Sequence, residues 1–184
     1  DVGLGVADNS YSTHYRKEMQ DPKTSVYMIY DGEMEYNFYN EVYMDVLSDV
    51  LDIVYTKTIR EEQGGTYGVG VMGQINNRPE DNFMFYIVFD TNDEVYATLM
   101  DIAKAGLKDV AENGPRQEDL SKVLENKLKK RVEELQENRF WINTIVSAER
   151  DNIDFVTEYE NIINGITVES VADFTKQIVN GNLK

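Results

Sequence analysis

The stretch Arg60-Glu-Glu-Gln-Gly-Gly-Thr-Tyr67 constrains this chain more than any other. Before it, Val42, Val46, Val50, Ile53, Val54 and Ile59 recur at three- and four-residue steps, the spacing of a helix with one buried stripe. Glu41, Asp45, Asp49 and Asp52 crowd the start of that pattern, while Lys57 and Arg60 stand near its end, the charge order a helix dipole favours. Gly64-Gly65 then supplies a residue for the left-handed conformation that stops a helix. Beyond it, Tyr67, Val69 and Val71 alternate with Gly68, Gly70 and Met72, a strand period with one nearly bare face. A long helix therefore ends, turns tightly and feeds a strand. Arg60 and Tyr67 fall on opposite sides of the turn, close enough to address one bound group. Glycines in a strand let another backbone approach. Gly68 and Gly70, beside a cation and a phenol, thus read as a peptide-binding edge. Taken singly, each residue has a plainer use: an arginine in a last helical turn is usually a solvated dipole partner, and a strand tyrosine usually packs.

The rest of the chain supplies the frame. Residues 1–24 lack periodicity and carry glycines and turn formers, so they read as a linker from a preceding domain. Ser25–Tyr30 alternates as a strand, closed by Asp31-Gly32, and Asn40 is the expected N-cap of the long helix. Asn76 to Asn82 is a turn cluster, and Phe83–Phe89 is apolar enough for a strand covered on both faces. The two strands form a hairpin. A second helix is expected from Asn92 or Asp93 to about Glu112, with Asn113-Gly114-Pro115 ending it. A third starts near Gln117 with Leu120, Val123, Leu124, Leu128, Val132 and Leu135 inward and Lys122, Lys127, Lys129, Lys130 and Arg131 outward. Phe140-Trp141-Ile142 opens a further helix as a core cluster, Asp154–Ile163 is helical, and Thr167 caps a last helix through Val179. The sum is α+β: a small, mostly antiparallel sheet with helices packed on one side.

Composition removes several functions. A net charge of −16, from 34 acidic and 18 basic residues, repels phosphate backbones and argues against a nucleic-acid partner. The basic run of the third helix is interleaved with Glu125, Glu133 and Glu134, the pattern of a solvated face. No apolar run approaches the length of a membrane span. With no cysteine and His14 the sole histidine, the chain cannot assemble a zinc site from His and Cys, so no metal ligand is assigned. Gly68-Val-Gly70-Val-Met-Gly73 matches a dinucleotide fingerprint literally, but it follows a helix and lies within a strand, where pyrophosphate has no helix N-terminus to meet. No serine or threonine has a base beside it, so the chain reads as half of an active site and as inactive when isolated.

An R-x-x-E-Q-x-G-T-Y-type segment after a long helix resembles the metal-free domain of pitrilysin/insulinase zinc metallopeptidases. Arg60, Glu62-Gln63 and Tyr67 carry the likeness, and the order of elements from about Lys23 onward matches as well. The resemblance implies a zinc motif, H-x-x-E-H, and a glutamate base in another domain, which activate water for peptide hydrolysis. It further implies that Tyr67 donates its phenol proton to the developing oxyanion and that Arg60 holds a substrate carbonyl, with Gly68 and Gly70 shaping the chamber. The expected partners are a peptide or protein substrate and the zinc-bearing domain of the same polypeptide or a partner subunit. The expected domain spans residues 25–184 and stops where the family's last strand would begin. Family habit points to a bacterial periplasm or cytoplasm. The alternative is a non-catalytic structural or partner subunit of the same fold. A small-molecule-binding module, the third reading, finds no supporting polar pocket in the sequence.

Overall fold

The structure, a computed structural model, describes residues 9–18, 20, 23–61 and 68–184, with Arg60 and Glu61 described through their backbone. Its sheet has four antiparallel strands in the order β2-β3-β1-β4. These are β1 (Thr24–Glu33), β2 (Val69–Asn76), β3 (Asn82–Thr91) and β4 (Asn182–Leu183). Helices α1 (Phe38–Tyr55), α2 (Tyr96–Asn113), α3 (Gln117–Glu134), α4 (Asn138–Asp151), α5 (Tyr159–Gly165) and α6 (Val168–Val179) complete the expected α+β class.

The core forms because one sheet face is apolar at every second residue. Phe83, Phe85, Ile87 and Phe89 of β3 and Val26, Met28 and Tyr30 of β1 are buried against Val46, Leu47, Val50 and Leu51 of α1 and Leu99, Ala103 and Leu107 of α2. The other face is open. Tyr27 and Met72 are exposed, and Met84, Tyr86 and Val88 are half-buried. The expectation that β3 is covered on both faces is therefore corrected. Its length of apolar sequence arises because Met84 and Tyr86 shield each other, the Tyr86 hydroxyl lying 3.0 Å from the Met84 sulfur, while the sheet packs helices on one side only.

Several boundaries differ for identifiable reasons. β1 does not stop at Asp31-Gly32: Asp31 is buried and ion-paired with Lys184, and Gly32 lies under the Phe83 ring, so pairing with β3 continues to Glu33. The N-cap of α1 is Asn37, whose side chain accepts from the Asn40 amide at 2.8 Å. α2 ends as expected, with Gly114 at a φ of 74°. α6 starts on a capping box of Thr167 and Ser170. On α3 the inward stripe runs through Leu120 and Val123 and then continues through Lys127 and Arg131, which were expected outside. Lys127 is buried because its ammonium meets Asp45 and Asp49 of α1 at 2.6 and 2.7 Å. Arg131 is buried between the rings of Phe140 and Tyr159, 4.5 and 4.3 Å from their centroids, and donates to the Phe155 carbonyl. α4 buries nothing fully: Trp141 and Ile142 are exposed, which corrects their reading as core, and Ile145 and Val146 are exposed beside them. Asp154–Ile163 is not one helix either. Asp154 accepts from the amides of Val156 and Thr157 in a turn, and α5 begins only at Tyr159.

Candidate functional site: the π-helical turn and the glycine-rich edge strand

Arg60 lies on backbone that the periodicity alone does not anticipate. α1 ends at Tyr55, and the chain rewinds as a π-helical turn over Thr56–Glu61. Such turns occur mostly singly, next to α-helices, and frequently at functional sites. Contacts from several of its residues hold this one. The Tyr55 ring is fully buried, its hydroxyl donating to the Ala103 carbonyl at 2.8 Å, with Gly106 leaving room for the ring on α2. Ile59 is fully buried in the core. Lys57 places its ammonium 2.9 and 3.1 Å from the two oxygens of Asp119, in the first turn of α3. The Thr58 hydroxyl donates to the Val54 carbonyl at 3.0 Å, so a carbonyl near the change of winding gains a side-chain donor. Asp119 itself is nearly inaccessible. Burial pushes its carboxyl up, yet hydrogen bonds from Lys57 and Arg116 outweigh this and hold it below the ordinary carboxylate range.

The Arg60 side chain, Gly64, Gly65 and Tyr67 lie outside the described residues, and with them the predicted helix stop and the Arg60–Tyr67 juxtaposition. Gly68 and Gly70 are described, and the structure separates them from the third glycine of the run. A Cβ on Gly73 would collide with Met44 and come within 3.0 Å of the Phe85 ring, so Gly73 is required by packing. A Cβ on Gly68 would meet nothing within 4 Å, and on Gly70 only the Val88 carbonyl oxygen at 4.0 Å. No packing inside the described chain calls for glycine at these two positions. They leave space at the start of β2, an edge strand of the sheet. Farther along, the Gly73 amide donates to Ser48 of α1 at 3.1 Å, which occupies that part of the edge from within.

At the far end of β2, a polar cavity of about 250 Å³ is lined by Tyr36, Glu41, Ile75, Asn76, Asn77, Arg78 and Arg150. Sequence reasoning missed it because its parts come from distant segments. Its buried keystone is Asp151, which accepts from Arg150, from Asn77 at 3.1 Å and from Tyr36 at 3.2 Å. The Arg150 guanidinium holds the Asp151 carboxyl far below the ordinary range. A second cleft, of about 450 Å³, is lined by α4 and residues 152–156, including Trp141, Ile145 and Phe155. Neither presents a nucleophile paired with a base. Among the described residues no group of three or more His, Cys, Asp or Glu is placed to hold a metal, and no helix is long and apolar enough to cross a membrane.

Comparison with known proteins follows the same geometry. A family model described as the Peptidase M16 inactive domain matches residues 2–127. A search of the curated proteins finds no match. Among solved structures, the periplasmic protease PqqL from Escherichia coli superposes with a TM-score of 0.80 at 20% identity, over 96% of this chain and 20% of that one. A peptidase M16 inactive domain from Pseudomonas fluorescens gives 0.70 at 17%, over 88% and 39%. The ferredoxin protease FusC, in complex with Arabidopsis ferredoxin, gives 0.74 at 13%, over 88% and 18%. The chain thus spans about a fifth of the PqqL and FusC chains it resembles. With the family model covering most of its length, this chain belongs to the M16 zinc-protease family, as a domain of the inactive, metal-free kind.

Proposed function

We propose that this domain contributes substrate-binding and transition-state-stabilising groups to a peptidase active site whose zinc lies in another domain. The observation that carries the reading is the edge strand β2, where among the described residues a Cβ on Gly70 would meet only the Val88 carbonyl oxygen at 4.0 Å, shortly after the segment that bears Arg60 and Tyr67. Activated water comes from the zinc-bearing domain, since with one histidine and no cysteine this chain cannot assemble a zinc site from His and Cys. Each residue then has a distinct task. The Tyr67 phenol donates to the scissile carbonyl oxygen as negative charge builds there. Arg60, five guanidinium donors on a long stem, holds a carbonyl farther along the peptide. Gly68 and Gly70 admit the peptide backbone. The substrate is a peptide or protein. FusC, solved with a ferredoxin, is a protease of this fold bound to a protein.

Arg60→Ala in the zinc-bearing enzyme assembled around this domain tests the binding half of the reading. Holding a remote carbonyl is largely ground-state binding, so KM should rise more than kcat falls. Unchanged KM and kcat in a folded enzyme would instead favour the second reading, a non-catalytic structural partner of the same fold. The exposed apolar helix α4, suited to a protein contact, is the observation that keeps that reading in play.

A further inference from the structure

The π-helical turn that carries Arg60 is tied sideways to α3 by the Lys57–Asp119 ion pair, and that pair is oddly placed for a purely stabilising role. The Lys57 side chain is 39% exposed, so burial does not fix it there, whereas Asp119 is 4% exposed. Asp119 already has a second cation, the Arg116 Nε at 3.1 Å, and sits in the first turn of α3, where the helix dipole favours its charge. Lys57 is therefore not needed to neutralise Asp119. What it does uniquely is bridge two elements far apart in sequence. Tyr55 and Ile59 secure the buried side of the turn, and Lys57 secures its flank. Arg60 follows Lys57 by three positions, less than one turn of π winding.

We infer that Lys57 is a positioning residue: docked on the buried Asp119 carboxylate, it fixes the backbone that carries Arg60, an inference resting on the substrate role proposed for Arg60. A carbonyl held by a guanidinium must be met within a few tenths of an ångström. A turn free to rock about the Tyr55–Ile59 anchor would spread that position and weaken binding. The pair is thus a determinant of substrate affinity that touches no substrate.

Two measurements on Lys57→Met, Lys57→Arg and Asp119→Asn separate this from simple stabilisation. Amide hydrogen exchange on this chain reads the turn itself. Lys57→Met should speed exchange at residues 56–61 about three- to tenfold while the α3 amides stay protected, as expected for losing one charge-assisted contact. Steady-state kinetics of the assembled zinc-bearing enzyme, on an internally quenched casein-derived peptide, reads the consequence. KM should rise by a similar factor, Lys57→Arg should restore it, and in an Arg60→Ala background Lys57→Met should add nothing further. An equal KM increase in both backgrounds would mean that Lys57 acts independently of Arg60, overturning the inference. So would unchanged exchange at residues 56–61, or an unchanged KM with Arg60→Ala impaired. If Arg60→Ala itself leaves KM untouched, the substrate role of Arg60 is what fails, and the inference falls with it.

Discussion

Gly70→Ala and Gly73→Ala should have opposite signatures, although both replace a glycine by one methyl in the same strand. At Gly73 the new Cβ would overlap Met44 and stand 3.0 Å from the Phe85 ring. Methionine can retreat, but the fully buried Phe85 ring has no such freedom, so overpacking of about 1–2 kcal/mol is expected. In a domain of this size that lowers Tm by roughly 2–8 °C. At Gly70 the methyl meets only the Val88 carbonyl oxygen at 4.0 Å, an ordinary contact. Removing a glycine from a strand interior should then stabilise the domain by about 0.5 kcal/mol, because less backbone entropy is lost on folding. The methyl nonetheless stands on the side chain-free edge proposed to admit substrate. Gly70→Ala should thus fold at least as well as the parent and still raise KM for peptide. Urea unfolding of both variants, followed by peptide kinetics on the assembled enzyme, provides the assay. A Gly70→Ala enzyme with unaltered KM would refute the use of that space. An unshifted Gly73→Ala midpoint would refute the packing of α1 on β2.

Three other outcomes follow from the same structure. Arg131→Leu should cost about 2–3 kcal/mol in urea unfolding, since it strips two aromatic rings of their cation and leaves the Phe155 carbonyl without its donor. Lys127→Met should cost under about 1 kcal/mol by the same measurement, because Asp45 and Asp49 are exposed enough for water to take over. Asp151 has a depressed folded-state pKa, so its stabilisation is complete above the ordinary carboxylate pKa near ~4 and fades as pH falls toward the folded value. Asp151→Asn should flatten the fall in unfolding midpoint below that pH, and an unchanged pH profile would remove Asp151 from the account.

How much of this was legible in the sequence depends on whether a feature is local. Strand alternation in β1 and β2, the Gly114 stop and the Thr167 cap depend on neighbouring residues and could be read directly. Lys127 and Arg131 could not. Their side chains turn inward because Asp45, Asp49, Phe140 and Tyr159 come from other elements, and a charge count along α3 sees only a polar face. Trp141 and Ile142 failed in the opposite sense, since an apolar run signals burial without saying that the burial lies within the same domain. At the site, Arg60 was placed on a helix end, but the π winding escaped periodicity because it depends on the ties of Tyr55 to α2 and Lys57 to α3. The strand period already sets Gly73 apart, on the face of Val69 and Val71 and opposite Gly68 and Gly70; its contacts with Met44 and Phe85 were not legible, because they come from other elements.

The central claim is that this domain supplies a transition-state donor, and Tyr67→Phe examines it most directly. The assay is single-substrate kinetics on the zinc-bearing enzyme assembled with the variant domain, after its urea midpoint is found equal to that of the parent. Loss of one oxyanion donor should lower kcat and kcat/KM together by about a hundred- to a thousandfold, with KM nearly unchanged. Full kcat in the folded Tyr67→Phe enzyme would contradict the claim and leave the domain a structural partner.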